Sequence, residues 1–235
     1  MSINIAIVGV GNCCSSLYQG FTYYGNNRTN TNGIMREQID GYDINNINVV
    51  TAFDIDERKV GKTLKSAIVS KPNCTPMFAD YDKIPDGPIV MMGNLLDGVS
   101  DHMLDVPEDN SFRVSRKKCD GIRDILISKK VDILINYLPV GSQTATEYYA
   151  NCCIDTGVSL LYCIPVFIAS DPVWEAKFIE KGIPLIGDDM KSQFGASILS
   201  QMLQELAFAR GHKVKCHIQR NIGGNTDFLN MMNTD

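Results

Sequence analysis

Short apolar runs alternate with helix-like segments along most of the chain. The apolar runs are typical of buried strands and cover residues 3–8, 47–54, 89–92, 131–137, 158–164 and 183–186. Three helices are predicted between them. Ser115 is expected to cap one that runs through Lys129, Ser142 to cap one that closes at Gly157, and a third starts at Asp171-Pro172 and stops at Gly182. This alternation, with strands apolar on both faces, predicts an α/β fold with a doubly wound parallel sheet.

The pattern changes towards the end of the chain. Residues 191–210 carry a helical apolar stripe, and residues 213–219 then alternate polar and apolar side chains with the period of a half-exposed antiparallel strand. We therefore predict one domain over residues 1–210 and the start of a second, α+β domain over 211–235. Two segments, 26–46 and 73–112, are predicted as loop insertions. The second, with four prolines, is interpreted as a solvated surface insertion.

A glycine turn follows the first apolar run. Gly9 can make the tight turn, and Gly11 would let the backbone approach a pyrophosphate. The predicted helix from Asn12 and Cys13 would offer free amide groups and a partial positive charge to an anion. Cys14 replaces the third glycine of the usual motif, so a plain strand-to-helix turn is the alternative. The motif favours a Rossmann-like dinucleotide site.

An acidic residue, Asp54, ends the second apolar run. A Rossmann-like fold places a carboxylate there to bind the ribose hydroxyls of NAD. The 45 residues from Gly9 to Asp54 exceed the usual ~20, which the insertion at 26–46 explains. A simple strand-end or helix-capping role for Asp54 is the alternative.

Composition narrows the class of protein. The 235 residues carry a net charge of −5 with no basic stripe, which argues against nucleic acid as a partner. No apolar run approaches the ~20 residues of a membrane span, and no signal-like segment begins the chain, so we expect a soluble, cytoplasmic protein. The eight cysteines and three histidines lack metal-site spacing, and we interpret the cysteines as small hydrophobic residues in a reducing compartment.

Other loops are predicted at the same rim of the sheet, because ligands bind beyond the carboxyl ends of parallel strands. Residues 136–142 bring Pro139, Gly141 and Ser142 to a helix N-terminus, which suits an anion or a nicotinamide ring. Residues 187–193 concentrate Asp188, Asp189 and Lys191, with Asp189 as a plain helix cap in the alternative interpretation. Residues 164–172 and 223–230 supply an apolar loop and a polar turn.

Five ordered segments together resemble the 1L-myo-inositol-1-phosphate synthase family, particularly its shorter bacterial and archaeal type. They are residues 7–17, 137–142, 165–172, 187–193 and 223–230. The resemblance implies conversion of glucose 6-phosphate to an inositol monophosphate with tightly held NAD. Hydride leaves the sugar C5, an enolate at C6 attacks the C1 aldehyde, and the hydride returns. Ammonium groups, with or without a bound cation, would stabilise the oxyanions.

The resemblance also assigns roles to residues. It implies that Gly9, Gly11, Asn12, Cys13 and Asp54 contact NAD, and that Asp188 and Lys191 lie near nicotinamide and substrate. Asn225 and Asp227 match the first polar group of the catalytic domain, and the family implies a tetrameric homo-oligomer. We expect a fragment or truncated form, since the family's catalytic domain continues well past Asn230. An NAD-binding regulatory module and a sugar-phosphate oxidoreductase are the alternatives.

Overall fold

A six-stranded parallel sheet forms the centre of the protein. The computed structural model describes residues 2–26, 32–190, 194–222 and 226–231. The strands lie in the order β3-β2-β1-β4-β5-β6, which confirms the predicted doubly wound sheet. Their bounds are β1 (Ile3–Val8), β2 (Ile47–Asp54), β3 (Val90–Met92), β4 (Ile133–Asn136), β5 (Ser159–Tyr162) and β6 (Leu185–Ile186).

Helices connect the strands and cover both faces of the sheet. They are α1 (Asn12–Asn26), α2 (Leu64–Ala67), α3 (Ile122–Ser128), α4 (Gln143–Thr156) and α5 (Pro172–Lys181). Further helices, α6 (Ala196–Ala209) and α7 (Thr226–Asn230), follow the last strand along the chain. The predicted ends of α4 and α5 are confirmed, because Gly157 and Gly182 take the left-handed conformation just after each helix, with φ of 74° and 66°. At the start of α5, the Asp171 carboxylate accepts a hydrogen bond from the Val173 amide at 2.8 Å.

Alternate residues of the central strands enter two separate apolar clusters. Ala6 and Val8 of β1 pack in the cluster that contains α3, α4 and α5. Ile5 and Ile7 pack in the other cluster, with Cys14 of α1 and residues of α2. The near-continuous apolar runs of the sequence therefore reflect burial on both faces of the sheet.

The predicted helix from Ser115 is wrong over its first half, since α3 begins only at Ile122. Residues before it run beside the sheet instead. The Ser115 amide donates to the Ile55 carbonyl at 2.7 Å, and the Asp120 side chain accepts from the Met92 amide at 2.8 Å. These contacts join residues 115–120 to the residue after β2 and to β3. They are long-range contacts, so the local sequence pattern could not predict them.

The chain divides into two compact units, residues 1–189 with 225–235, and residues 190–224. The predicted domain boundary at residue 210 stays a prediction. In the second unit, the predicted strand at 213–219 is wrong, because residues 212–222 have no regular secondary structure. The described part of this unit offers no extended segment to pair with, and His217 and Gln219 instead contact Ser200 and Ser197 of α6.

None of the helices in the described ranges is long and apolar enough to span a membrane.

Candidate functional site

A cavity of about 250 Å³ lies beyond the carboxyl ends of the strands. The loops that follow β1, β2, β3 and β4 all contribute to its lining. The predicted cofactor residues that it brings together are Gly9, Gly11, Asn12, Cys13, Asp54, Pro139 and Ser142. Gly141 lines a neighbouring pocket with Val140 and Asn230 instead. Asp188 is not among the cavity-lining residues.

The two glycines of the turn serve different purposes. Gly9 has φ +89°, and a Cβ atom there would lie 2.6 Å from the Tyr137 carbonyl oxygen. A side chain at this position is therefore excluded by the protein's own backbone. At Gly11, by contrast, an added Cβ would meet no atom within 4 Å. The open space beside Gly11 is part of the cavity.

The Asp54 carboxylate ties the turn to the end of β2. One oxygen accepts from the Val10 amide at 2.7 Å, and the other accepts from the Ile55 and Asp56 amides at 2.7 and 2.8 Å. An ionised carboxylate has about four lone-pair sites. Asp54 thus has a structural role and keeps about one acceptor site, which fits a ribose hydroxyl beside the cavity.

Two further side chains at the turn were missed by the sequence analysis. The Lys59 side chain is only 4% exposed, and its Nζ donates to the Val10 carbonyl at 2.8 Å and to Asn73 Oδ1 at 2.9 Å. Asn73 Nδ2 donates to the same Val10 carbonyl at 3.0 Å. No sequence signal identifies this pair, because Lys59 belongs to a polar run and Asn73 lies in a predicted loop.

Asn12 extends this network at the first residue of α1. Its Oδ1 accepts from the Cys74 amide at 2.8 Å, the Thr75 amide at 3.1 Å and Thr75 Oγ1 at 3.0 Å. The interpretation of residues 73–112 as a solvated surface insertion is therefore wrong for part of that segment. Residues 93–99 and Phe112 also line the cavity. Isolated loop composition could not show this packing.

The N-terminus of α4 is capped by a residue from another loop. Asp97 accepts from the Thr144 amide at 2.6 Å and from the Ala145 amide at 2.8 Å. Ser142 does occupy the position before the helix, as predicted, but its side chain makes no capping hydrogen bond, so the predicted capping role is wrong. Ser142 Oγ is buried and finds no hydrogen-bond partner in the part of the chain that the structure describes. Ser142 is one of the residues that line the cavity.

Asp188 joins the end of β6 to the loop after β5. Its carboxylate accepts from the Ile168 amide at 3.0 Å, the Ala169 amide at 2.7 Å and the Tyr162 hydroxyl. Burial raises the pKa of the Asp188 carboxyl, but hydrogen bonds from Ser170, Tyr162 and the two amides together hold it below its ordinary value. Burial, followed by the hydrogen bond to Asp188, raises the pKa of Tyr162 to about 12.

The remaining predicted catalytic residues are Lys191, Asn225 and Asp227. Lys191 and Asn225 fall outside the described residues, and for Asp227 only its place in α7 is described. The helix itself is held firmly. Asn230 Nδ2 donates to the Val140 carbonyl at 2.5 Å, and His102 Nε2 lies 2.8 Å from the Leu229 carbonyl oxygen. Thr226, the first residue of α7, lines the cavity.

The cysteines are free. Cys14, Cys152 and Cys153 are buried, as expected for small hydrophobic side chains. The expectation is wrong for four exposed cysteines, which are Cys13, Cys74, Cys119 and Cys216. Burial raises the pKa of the Cys14 thiol well above its ordinary value. Among the described residues, no three His, Cys, Asp or Glu side chains are grouped so that they could hold a metal ion.

The parallel sheet, the glycine turn and the cavity at the strand ends define a Rossmann-like α/β protein. No protein-family model matches the chain. The inositol-3-phosphate synthase of Mycolicibacterium smegmatis is 44% identical over 232 residues, which cover 98% of this chain and 62% of that protein. The chain belongs to the inositol-3-phosphate synthase family, as its motifs predict.

Solved structures share the fold of this chain. The crystal structure of Ari2 is 31% identical, has a TM-score of 0.82 and matches over 99% of this chain and 67% of that one. A myo-inositol-1-phosphate synthase-related protein from Thermotoga maritima, 18% identical over 89% of this chain and 60% of that one, shares the fold with a TM-score of 0.62. The chain spans about 62% of the length of the Mycolicibacterium smegmatis relative.

Proposed function

We propose that this chain supplies the NAD-binding part of an enzyme that converts glucose 6-phosphate to 1L-myo-inositol 1-phosphate. The observation that carries the proposal is the cavity that Gly11, Asp54 and Ser142 border together at the carboxyl ends of the strands. Membership of the inositol-3-phosphate synthase family supports the substrate and the reaction. When bound beside Gly11 and Asp54, NAD would supply reversible hydride transfer, with no net oxidation of the sugar.

The residues around the cavity fit a dinucleotide. The space beside Gly11 is open to a pyrophosphate, next to the positive end of the α1 dipole. Ser142 Oγ offers an unused donor and acceptor at the cavity wall. Asp54 keeps an acceptor site for a ribose hydroxyl. Each of these features would be satisfied by a ligand with phosphates and hydroxyl groups.

Within the same proposal, the catalytic residues are Asp188, Lys191, Asn225 and Asp227. The Lys191 ammonium would stabilise an oxyanion of the sugar, as the reaction requires at two positions. The anchoring of α7 beside the cavity supports a role for Asp227 near the substrate. The family resemblance further supports a cytoplasmic homo-oligomer that uses a cation.

Calorimetric titration with NAD and NADP tests the cofactor proposal. We expect NAD to bind more tightly, because a 2′-phosphate would approach the Asp54 carboxylate. Asp54→Ala should weaken NAD binding by about 1 to 3 kcal/mol, the value of a hydrogen bond to a charged group. Asp80→Ala is the control, since that carboxylate is 53% exposed and pairs with Lys83 at the surface. Absence of NAD binding, or tighter binding of NADP, would contradict the proposal.

An NAD-binding module without catalysis is the second candidate, favoured by Asp188, whose carboxylate accepts from the Ile168 and Ala169 amides and the Tyr162 hydroxyl and does not line the cavity. Synthesis of inositol phosphate from glucose 6-phosphate separates the two. We expect no turnover by the 235-residue chain and turnover by a protein extended to its relatives' length. In that extended protein, Lys191→Ala should reduce turnover by roughly 10²- to 10³-fold. Retention of full activity by Lys191→Ala would contradict its catalytic role.

A further inference from the structure

A buried lysine lies directly under the glycine turn. Lys59 Nζ has two close partners, the Val10 carbonyl at 2.8 Å and Asn73 Oδ1 at 2.9 Å, and lies 4.0 Å from Asp54 Oδ2. With a side chain only 4% exposed, the ammonium has been removed almost completely from water. Such burial is costly unless the charge is well paired and hydrogen-bonded. The interactions around Lys59 must therefore compensate for that cost.

Both backbone groups of Val10 are held by this arrangement. The amide donates to Asp54 Oδ2 at 2.7 Å, while the carbonyl accepts from Lys59 Nζ and from Asn73 Nδ2 at 3.0 Å. Val10 stands between Gly9 and Gly11, two residues that are intrinsically flexible. Side chains of opposite charge thus restrain the one non-glycine residue of the turn.

The charge of Lys59 has a second consequence. Asp54 places a negative charge at the cavity wall, where the phosphates of a dinucleotide would also bring negative charge. At 4.0 Å, the ammonium offsets part of the field of the Asp54 carboxylate. Lys59 itself lines the cavity, so its field extends into the space where a ligand would bind.

Resting on the NAD binding proposed above, we propose that Lys59 is a positioning residue of the cofactor site, which holds the glycine turn through Val10 and balances the charge of Asp54. The two roles can be separated by substitution. Lys59→Met keeps the apolar stem but removes both donor and charge. Lys59→Gln keeps a donor without the charge, and Lys59→Arg keeps both.

The readout is the dissociation constant for NAD and for NADP, measured by calorimetry on the whole chain. We expect Lys59→Met to weaken NAD binding roughly 10- to 100-fold, as for the loss of a charge-assisted hydrogen bond. Loss of the cation leaves Asp54 uncompensated, so NADP should weaken further than NAD in Lys59→Met and Lys59→Gln. Lys59→Arg should keep the wild-type ratio of the two constants. A purely structural role would lower both affinities equally.

Lys83→Met is the matched control, because Lys83 forms a surface ion pair with Asp80 and is 65% exposed. It should leave both constants unchanged. Circular dichroism and thermal unfolding establish that each variant is folded. If Lys59→Met fails to fold, the comparison of Lys59→Gln with Lys59→Arg gives the same test, since only the arginine keeps the charge.

The failures are distinguishable. Wild-type chain that binds neither dinucleotide would overturn the cofactor proposal and this inference with it. Wild-type binding of NAD, with Lys59→Met within about twofold of it, or with the same NADP to NAD ratio in Lys59→Gln and Lys59→Arg, would overturn only the role of Lys59.

Discussion

Two loops that border the cavity differ in how their polar groups are satisfied. At the glycine turn, Val10 uses both backbone groups and Asn12 Oδ1 accepts three hydrogen bonds. At the loop before α4, Asp97 occupies the first helix amides, and Ser142 Oγ is buried without a partner in the described residues. These polar groups of the first loop are satisfied by other segments of the protein, whereas the Ser142 hydroxyl at the second loop is not.

The difference shows two ways of preparing a binding site. A loop whose polar groups are already hydrogen-bonded to other parts of the protein is ordered in advance, which lowers the entropy lost when a ligand binds. A buried hydroxyl without a partner costs about 1 to 3 kcal/mol, which a ligand can recover by supplying a hydrogen bond. Variants of the two loops should therefore separate effects on stability from effects on binding.

Gly9→Ala should have the largest effect. Its Cβ would lie 2.6 Å from the Tyr137 carbonyl oxygen in a backbone with φ +89°, so we expect about 3 kcal/mol or more of destabilisation. Urea unfolding measures this change. Gly11→Ala is the control, since its Cβ meets nothing within 4 Å. It should keep stability within about 0.5 kcal/mol but weaken NAD binding. Equal stability of the two variants would contradict the distinction.

Asp97→Ala should have an intermediate effect on stability. The substitution removes the acceptor of the Thr144 and Ala145 amides and leaves the α4 N-terminus without its negative charge. We expect a loss of about 1 to 2 kcal/mol in urea unfolding, as for other helix caps. Asp171→Ala, at the cap of α5, provides a comparison with about 1 kcal/mol expected. No change in Asp97→Ala would show that the cap contributes little.

Ser142→Ala should leave stability within about 0.5 kcal/mol, because the hydroxyl has no partner to lose. Its affinity for NAD, measured by calorimetry, should fall roughly 3- to 10-fold. Thr146→Val, in the helix that follows Ser142, is the matched control. Thr146 Oγ1 accepts from Asn136 Nδ2 at 3.1 Å, so its removal should destabilise by about 1 to 3 kcal/mol. Marked destabilisation by Ser142→Ala would mean that the hydroxyl is already satisfied.

Asp188 belongs to a third loop. Its substitution should have the smallest effect, a change in thermal stability that is confined to acid pH. Because the pKa of Asp188 is lowered in the folded protein, the stabilisation is fully present at pH values above the ordinary pKa of an aspartate in the unfolded chain. It is lost as the pH falls through the lower folded value. Asp188→Asn should therefore flatten the dependence of thermal stability on pH in the acid range. An unchanged acid profile would contradict the role of this carboxylate in stability.

The sequence alone determined the features that depend on local patterns. Apolar runs identified all six strands of the sheet. The central strands β1, β4 and β5 are largely buried on both faces, and this burial is visible in their own side chains. Gly157 and Gly182 marked the helix ends because glycine adopts the left-handed conformation without strain. Gly9 marked the tight turn for the same reason. The ordered motifs then identified the family.

The tertiary structure decided every feature that joins distant segments. Asp97 caps a helix 47 residues further along, Lys59 bonds to Val10 49 residues before it, and Asp120 accepts from the Met92 amide of β3. The alternating segment at 213–219 has no neighbouring strand in the described part of its unit, and it is irregular. Hydrogen bonds of this kind depend on which groups lie close together in the folded chain. The periodicity of apolar residues along the sequence does not predict these long-range contacts.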